Sequence, residues 1–272
     1  MKYALFTGCV IPIQTPFIEK LARDVFVKLD VGLVDLDFTC CPYYSVRDVD
    51  EQEWLVGAAY NLALAEKNGL DILTLCNGCS QTLIEANYAL QDADELAKVN
   101  ERLKKAGLQY NGKTKVLHFM MLLEQINDKV KETSLKSLDG LKVATHTGCH
   151  ILRPSKILAY DDAENPKKFD ELVALLGGMT VDYKTKTLCC GSSMITKYKD
   201  MSLAMLKEKI IDLQNKTDML AVCCTSCFLQ YDKNQVLLRM KKKLPVVHII
   251  QLLAYSLGID PLLENNRSGA KI

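Results

Sequence analysis

Apolar residues recur along this chain in two alternating patterns, short continuous runs and longer stretches of helical period. The runs "KYALFTGC", "VGLVDLD", "DILTLC" and "KVLHF" are rich in apolar and β-branched residues and too short for helices, so they predict strands. Between them, "IEKLARDVFVKL", "EQEWLVGAAYNLALAEKNG" and "SQTLIEANYALQDADELAKVNERLKKAG" space their apolar residues three and four apart and predict helices, with Gly69 capping the second. The order returns in "LKVATHTGC", "MTVDYKT", "DMLAVC" and "LPVVHI". Strands that alternate with helices predict an α/β fold whose parallel sheets are covered by helices.

The repetition reaches individual residues. "ALFTGCVI" matches "VATHTGCHI", "VDLDFTCC" matches "VDYKTKTLCC", "DILTLCNGC" matches "DMLAVCCTSC", and "VLHFMMLL" matches "VVHIIQLL". The chain therefore reads as a duplication, with tandem pseudo-symmetric domains over residues 1–139 and 140–272 that meet in "LKSLDG". Drift in the offset between copies predicts an added loop at "DDAENPKK" and a shortened helix later in the second copy.

Cysteine carries the chemistry. Each half has a lone cysteine, an adjacent pair and a C-x-x-C: Cys9, Cys40, Cys41, Cys76 and Cys79 in the first, Cys149, Cys189, Cys190, Cys224 and Cys227 in the second. Aligning "LTLCNGC" with "LAVCCTSC" leaves Cys223 opposite Leu75, as a small buried hydrophobe at a strand end. The rest of the composition is unremarkable for a globular chain: 272 residues, 49% hydrophobic, net charge +1. That charge gives no reason to expect nucleic acid or an anionic membrane surface. No apolar stretch reaches the ~18 residues of a membrane span, and "MKYALFTGCV" reads as a strand rather than a signal peptide, so a cytoplasmic protein is expected.

In a reducing compartment such spacing points to metal or redox chemistry rather than a disulfide framework. Zinc takes four ligands, which strands one cysteine per half. A vicinal disulfide is disfavoured because neighbouring Cα atoms are about 3.8 Å apart and an unstrained bridge wants at least ~4.4 Å. An iron–sulfur cluster accommodates adjacent thiolates on different irons, and the spacing favours it over zinc or dithiol redox, which stay open.

The doubled pattern of lone cysteine, adjacent pair and C-x-x-C resembles the cysteine-rich CCG repeat, and the whole chain resembles the B subunit of heterodisulfide reductase from methanogenic archaea. The resemblance implies two noncubane [4Fe-4S] clusters, one on each set of five cysteines. It implies reduction of the mixed disulfide of coenzyme M and coenzyme B, CoM-S-S-CoB, within an electron-bifurcating complex. The implied partners are a C subunit with cubane clusters and a flavin-containing A subunit, with a hydrogenase or formate dehydrogenase as electron donor. The alternative is a CCG-repeat electron-transfer subunit of a sulfur-oxidising or quinone-linked oxidoreductase; a zinc-stabilised scaffold is the third reading. One departure stands out: Gly191 follows the second cysteine pair, but Pro42 follows the first. The chain also lacks a ferredoxin-type run, a G-x-G-x-x-G turn and a P-loop.

His150, next to Cys149, is a candidate proton donor or substrate contact. His118 and His248 are expected to cap helices, and His146 to pack on a strand. A substrate with a sulfonate and a phosphate calls for Arg or Lys at the site. Arg47, Arg153, Lys156 and Lys197 lie near cysteine motifs, each individually expected as a surface charge, as is the run "RMKKK". The register of the second repeat is testable: Cys223→Ser should leave iron content near that of the parent, whereas Cys224→Ser should disrupt one cluster. Swapped outcomes in iron analysis would show the register to be wrong.

Overall fold

Eight strands form two separate four-stranded sheets, all parallel, in a computed structural model that describes residues 1–272. The first sheet contains β1 (Lys2–Phe6), β2 (Gly32–Val34), β3 (Asp71–Thr74) and β4 (Val116–His118), in the order β2-β1-β3-β4. The second contains β5 (Lys142–His146), β6 (Met179–Thr180), β7 (Met219–Val222) and β8 (Val246–His248), in the order β6-β5-β7-β8. Registers match too: Phe6 pairs with Thr74 at the end of β1 and β3, and His146 with Val222 at the end of β5 and β7. No helix is long and apolar enough to cross a membrane.

Several elements differ in extent from the sequence pattern. The edge strands are short, since the polar ends of "VGLVDLD" and "MTVDYKT" leave the sheets after Val34 and Thr180. The long helical stretch from Ser80 divides into Asn77–Ala89 and Ala93–Leu103, because the Asp92 carboxylate accepts from the amides of Asp94 and Glu95 and starts a new helix. In the second half the matching region is a four-residue helix, Thr225–Phe228, followed by a π turn, Leu229–Lys233, and a 3-10 turn, Asn234–Leu238. That is the shortened helix expected there. The added loop is organised by Asp161, which accepts from the amides of Lys167 and Lys168.

The two halves exchange helices. The helix after β4, Phe119–Gln125, packs on the second half's Lys168–Leu175, while the helix after β8, Ile249–Ser256, packs on the first half's Pro16–Lys28. Where these contacts meet, the Phe119 ring stacks on His248 at 5.7 Å and lies 4.6 Å from His118. Both histidines cap their helices as expected: Met120 N donates to His118 Nδ1 at 3.3 Å, and Ile250 N to His248 Nδ1 at 3.4 Å. At one side of the axis the Phe17 and Phe228 rings meet edge to face at 5.7 Å. A single apolar core thus runs through both halves.

Burial holds the His118 and His248 imidazoles neutral, pulled down to about 3. An unfolded histidine titrates near ~6.5, so on acidification the unfolded chain binds protons first. The stability tied to this pair is complete above pH ~6.5 and is lost as pH falls toward about 3. His118→Asn, which keeps a capping acceptor without the titrating ring, should show a shallower loss of stability over that window in urea titrations. An unchanged pH profile would contradict this account.

Candidate metal centre

In each half, the inner strands bring their carboxyl ends together at the point where strand order reverses, which is where parallel sheets leave a crevice. Cys9 and Cys149 follow β1 and β5, and Cys76 and Cys224 follow β3 and β7 as extended N-cap residues. Three residues on, one helical turn returns Cys79 and Cys227 to the same side. The pairs Cys40–Cys41 and Cys189–Cys190 come from the loops after the edge strands.

All ten of these cysteines line one cleft of about 340 Å³ that both halves share. Tyr43, Asn77, Gly78, His150, Ser192 and Ser193 complete much of its wall. The Cys41 and Cys79 sulfurs are 3.3 Å apart. Asn77 locks the junction, its Nδ2 donating to the Thr147 carbonyl at 2.7 Å.

Crowding divides the thiols into acidic and basic members. Hydrogen bonding from Cys40, then Cys79, pulls Cys41 down to about 5. Cys149, then Cys190, pulls Cys189 down to about 2. Cys76 falls well below the thiol range through Cys224 and Cys79, helped by the amides of Gly78 and Cys79 at the helix start. Their partners Cys40, Cys149 and Cys79 are pushed up in turn. No Lys or Arg lines the cleft to balance this electron-rich sulfur. Soft thiolates without a protein counter-cation suit a soft metal centre.

Backbone geometry fits the same purpose. Gly8 has φ +67, and a Cβ there would stand 2.7 Å from the Cys79 sulfur. Gly148 has φ +82, and its Cβ would meet Asn77 Nδ2 at 2.8 Å. The amides of Gly191 and Ser192 donate to the sulfurs of Cys189 and Cys190, both at 3.4 Å. Pro42 cannot repeat the first of these, having no N–H. Its ring instead fills the space beside Gly57, where a Cβ would be 2.9 Å away, and Cys40 and Cys41 still reach the cleft.

The other candidates separate cleanly. Cys223 is fully buried outside the cleft lining and donates to the Thr147 carbonyl at 3.1 Å. His150 does line the cleft, its ring stacked on Tyr43 at 5.7 Å across the halves, and burial lowers its pKa. Arg47, Arg153, Lys156 and Lys197 are the surface charges expected of each, and none lines the cleft. Arg47 is held by Glu51 and Glu85, Arg153 by Glu164 and the Ala163 carbonyl, Lys197 lies over the Tyr198 ring, and Lys156 is exposed. These cations have nearby carboxylates, carbonyls, rings or water, so nothing draws them to the thiols.

His146 is more than strand packing. Its Nδ1 lies 3.1 Å from Nζ of the buried Lys209, and a ring nitrogen is within 4.8 Å of the sulfurs of Cys190 and Cys227. Lys209 was not visible as a site residue, although it falls on the buried face formed by Ser202, Leu206, Ile210 and Leu213. A lysine on that face was the available signal. Asn77, between the cysteines of the first C-x-x-C, was equally missed.

The profile of the cysteine-rich CCG domain matches residues 3–84 and 143–232. The chain belongs to the CCG cysteine-rich family. Within that family it is 39% identical over 96% of its length to 90% of a protein from Methanosarcina acetivorans, the B subunit of a ferredoxin/F(420)H(2)-dependent CoB-CoM heterodisulfide reductase. It is 36% identical, over 96% of its length and 92% of the relative, to a protein of Archaeoglobus profundus described as like the heterodisulfide reductase B subunit. It is also 31% identical, over 95% of its length and 93% of the relative, to the 8-methylmenaquinol:fumarate reductase membrane anchor subunit of Wolinella succinogenes. This CCG-family chain shares its fold with a crystal structure of a hypothetical protein from Helicobacter pylori. That match has TM-score 0.78 at 16% identity and covers 99% of this chain and 52% of the other.

Gly148→Ala should destabilise the protein by about 1–3 kcal/mol through a backbone conformation, φ 82 and ψ 159, that is open essentially only to glycine, and through the clash with Asn77. Gly112, at φ +77 with nothing within 4 Å of an added methyl, separates the two effects. Gly112→Ala should cost clearly less in urea denaturation; equal losses would remove the Asn77 clash from the explanation.

Proposed function

We propose that this chain is the disulfide-reducing subunit of a heterodisulfide reductase. It would hold one noncubane [4Fe-4S] cluster on Cys9, Cys40, Cys41, Cys76 and Cys79 and a second on Cys149, Cys189, Cys190, Cys224 and Cys227. The observation that carries the reading is the convergence of all ten thiols on a single cleft shared by two matching halves. The clusters, when bound, supply one-electron redox chemistry at iron. Cleavage of CoM-S-S-CoB to two thiols consumes two electrons and two protons, and duplicated sites facing one cleft suit the two sulfurs.

The chain's own residues have distinct tasks in this reading. The thiolates hold the irons, and the Asn77–Thr147 hydrogen bond keeps the halves in register around the substrate. His150, on the cleft wall against Tyr43, gives its imidazolium proton to a departing thiolate. The uncharged lining fits the sulfur-bearing middle of the substrate; its sulfonate and phosphate ends would be held beyond these walls, by the rim or a partner. Electrons would arrive through a C subunit with cubane clusters from a flavin-containing A subunit in a cytoplasmic complex, fed by a hydrogenase or formate dehydrogenase.

A second reading, an electron-transfer subunit of a quinone-linked oxidoreductase, is favoured by the 31% identity to the Wolinella protein. Adding coenzyme M thiol to the oxidised, iron-loaded protein distinguishes them by paramagnetic resonance. A new signal is expected for the disulfide-reducing subunit, and its absence would favour electron transfer. Two zinc ions and no iron or sulfide would sink both. Since burial lowers the His150 pKa below its ordinary value, its contribution should grow as pH falls through a value under ~6.5. His150→Phe should lower kcat by about 10²–10⁴-fold and remove that acid-side rise; a parent-like pH profile would exclude the role.

A further inference from the structure

The two halves match in their cysteines but not in what stands behind them. At the end of β1 the first half has Phe6, whose ring packs on Phe38 at 5.0 Å. At the end of β5 the second half has His146 in the matching place. The helices behind the cysteine pairs differ likewise. In the first half Glu51–Lys67 turns in Asn61, whose Oδ1 accepts from the Thr39 amide at 2.9 Å and whose Nδ2 donates to the Cys40 carbonyl at 3.1 Å. In the second half Lys199–Leu213 turns in Lys209, with no exposed surface.

Hydrogen-bond geometry around Lys209 sets its role. Nζ has three acceptors, the carbonyls of Thr185 at 2.5 Å and Lys186 at 3.0 Å, and His146 Nδ1 at 3.1 Å. Burial lowers the Lys209 pKa to about 7 against the opposing pull of the Cys227, Cys190 and Cys189 sulfurs, and in its ammonium form it has three donors, so each is used. His146 Nδ1 also lies 3.3 Å from the Lys186 carbonyl, but that carbonyl already accepts from Nζ and the shorter contact of Nδ1 is to an ammonium, which can only donate, so Nδ1 accepts and the ring proton is on Nε2. Nε2 is buried without any protein partner, in a ring whose nitrogen lies within 4.8 Å of the Cys190 and Cys227 sulfurs. Nε2 makes no hydrogen bond within the protein, so its proton is free for the sulfur of a bound cluster. The second set also receives the Gly191 amide, which Pro42 cannot supply to the first.

We infer that Lys209 is a positioning residue that fixes the His146 tautomer, and that the pair makes the second cysteine set the more easily reduced of two otherwise matching centres. A buried cation and N–H donors beside cluster sulfur stabilise the added negative charge of the reduced state. Phe6, Phe38 and Pro42 offer the first set none of this. The inference rests on the iron–sulfur reading proposed above.

Potentiometric titration of the intact, iron-loaded protein, followed by paramagnetic resonance, tests it. The parent should show two unequal midpoints. His146→Phe and Lys209→Gln, the latter keeping hydrogen bonds to the carbonyls without the charge, should lower the higher midpoint toward the other at unchanged iron content. The reciprocal Phe6→His should raise the lower one, and removes no buried charge. Equal midpoints in the parent, or midpoints unmoved in all three variants at parental iron content, would overturn the inference and leave the iron–sulfur reading standing. A parent protein without iron and sulfide would overturn both.

Discussion

Parallel strands impose one constraint on which everything at the site depends: every loop that follows a strand emerges on the same edge of its sheet. With strand orders β2-β1-β3-β4 and β6-β5-β7-β8, the loops after the first three strands of each half surround a single crevice. Lone cysteine, cysteine pair and C-x-x-C are far apart in sequence because each belongs to a different strand. Their convergence follows from topology, and the close approach of backbone at Gly8 and Gly148 lets the sulfurs crowd without side chains between them.

Crowding has an electrostatic consequence. Adjacent thiols without a counter-cation cannot all ionise, and a thiolate among them is held by hydrogen bonds from its neighbours, which lowers Cys41, Cys76 and Cys189 and raises Cys40, Cys79 and Cys149. The protein supplies amides, two imidazoles and one deeply buried lysine, and no Lys or Arg on the cleft wall. Such a lining keeps bound water and hard ions poorly served while offering ten soft donors.

Much of this could be seen in the sequence because it is local or periodic. Strand runs, the alternation with helices, the repeat and the cysteine register each need only a few neighbouring residues, and the caps at His118 and His248 follow from their position between a strand and a helix. What could not be seen depends on distant partners. Asn77 gains meaning only when Thr147 of the other half arrives, and Lys209 only when His146 and the carbonyls of Thr185 and Lys186 surround it. The break at Asp92 was missed because a capping aspartate and a helical aspartate look alike until the amides of Asp94 and Glu95 turn toward it. The call for cations at the cleft came from a substrate's charge, whereas the residues themselves read as the surface charges they are.

The exchanged helices carry a further consequence. Phe119–Gln125 covers the second half and Ile249–Ser256 covers the first, with Phe119, His118 and His248 at the crossing. This is the arrangement of an isologous dimer of two identical protomers, here joined by the segment between β4 and β5. In a true homodimer every substitution would appear on both sides of the axis, and the two centres would be equivalent by symmetry. Encoding both copies in one chain removes that obligation. His146 stands where the first half has Phe6, and Pro42 where the second half has Gly191, differences that two copies of one identical protomer could not carry.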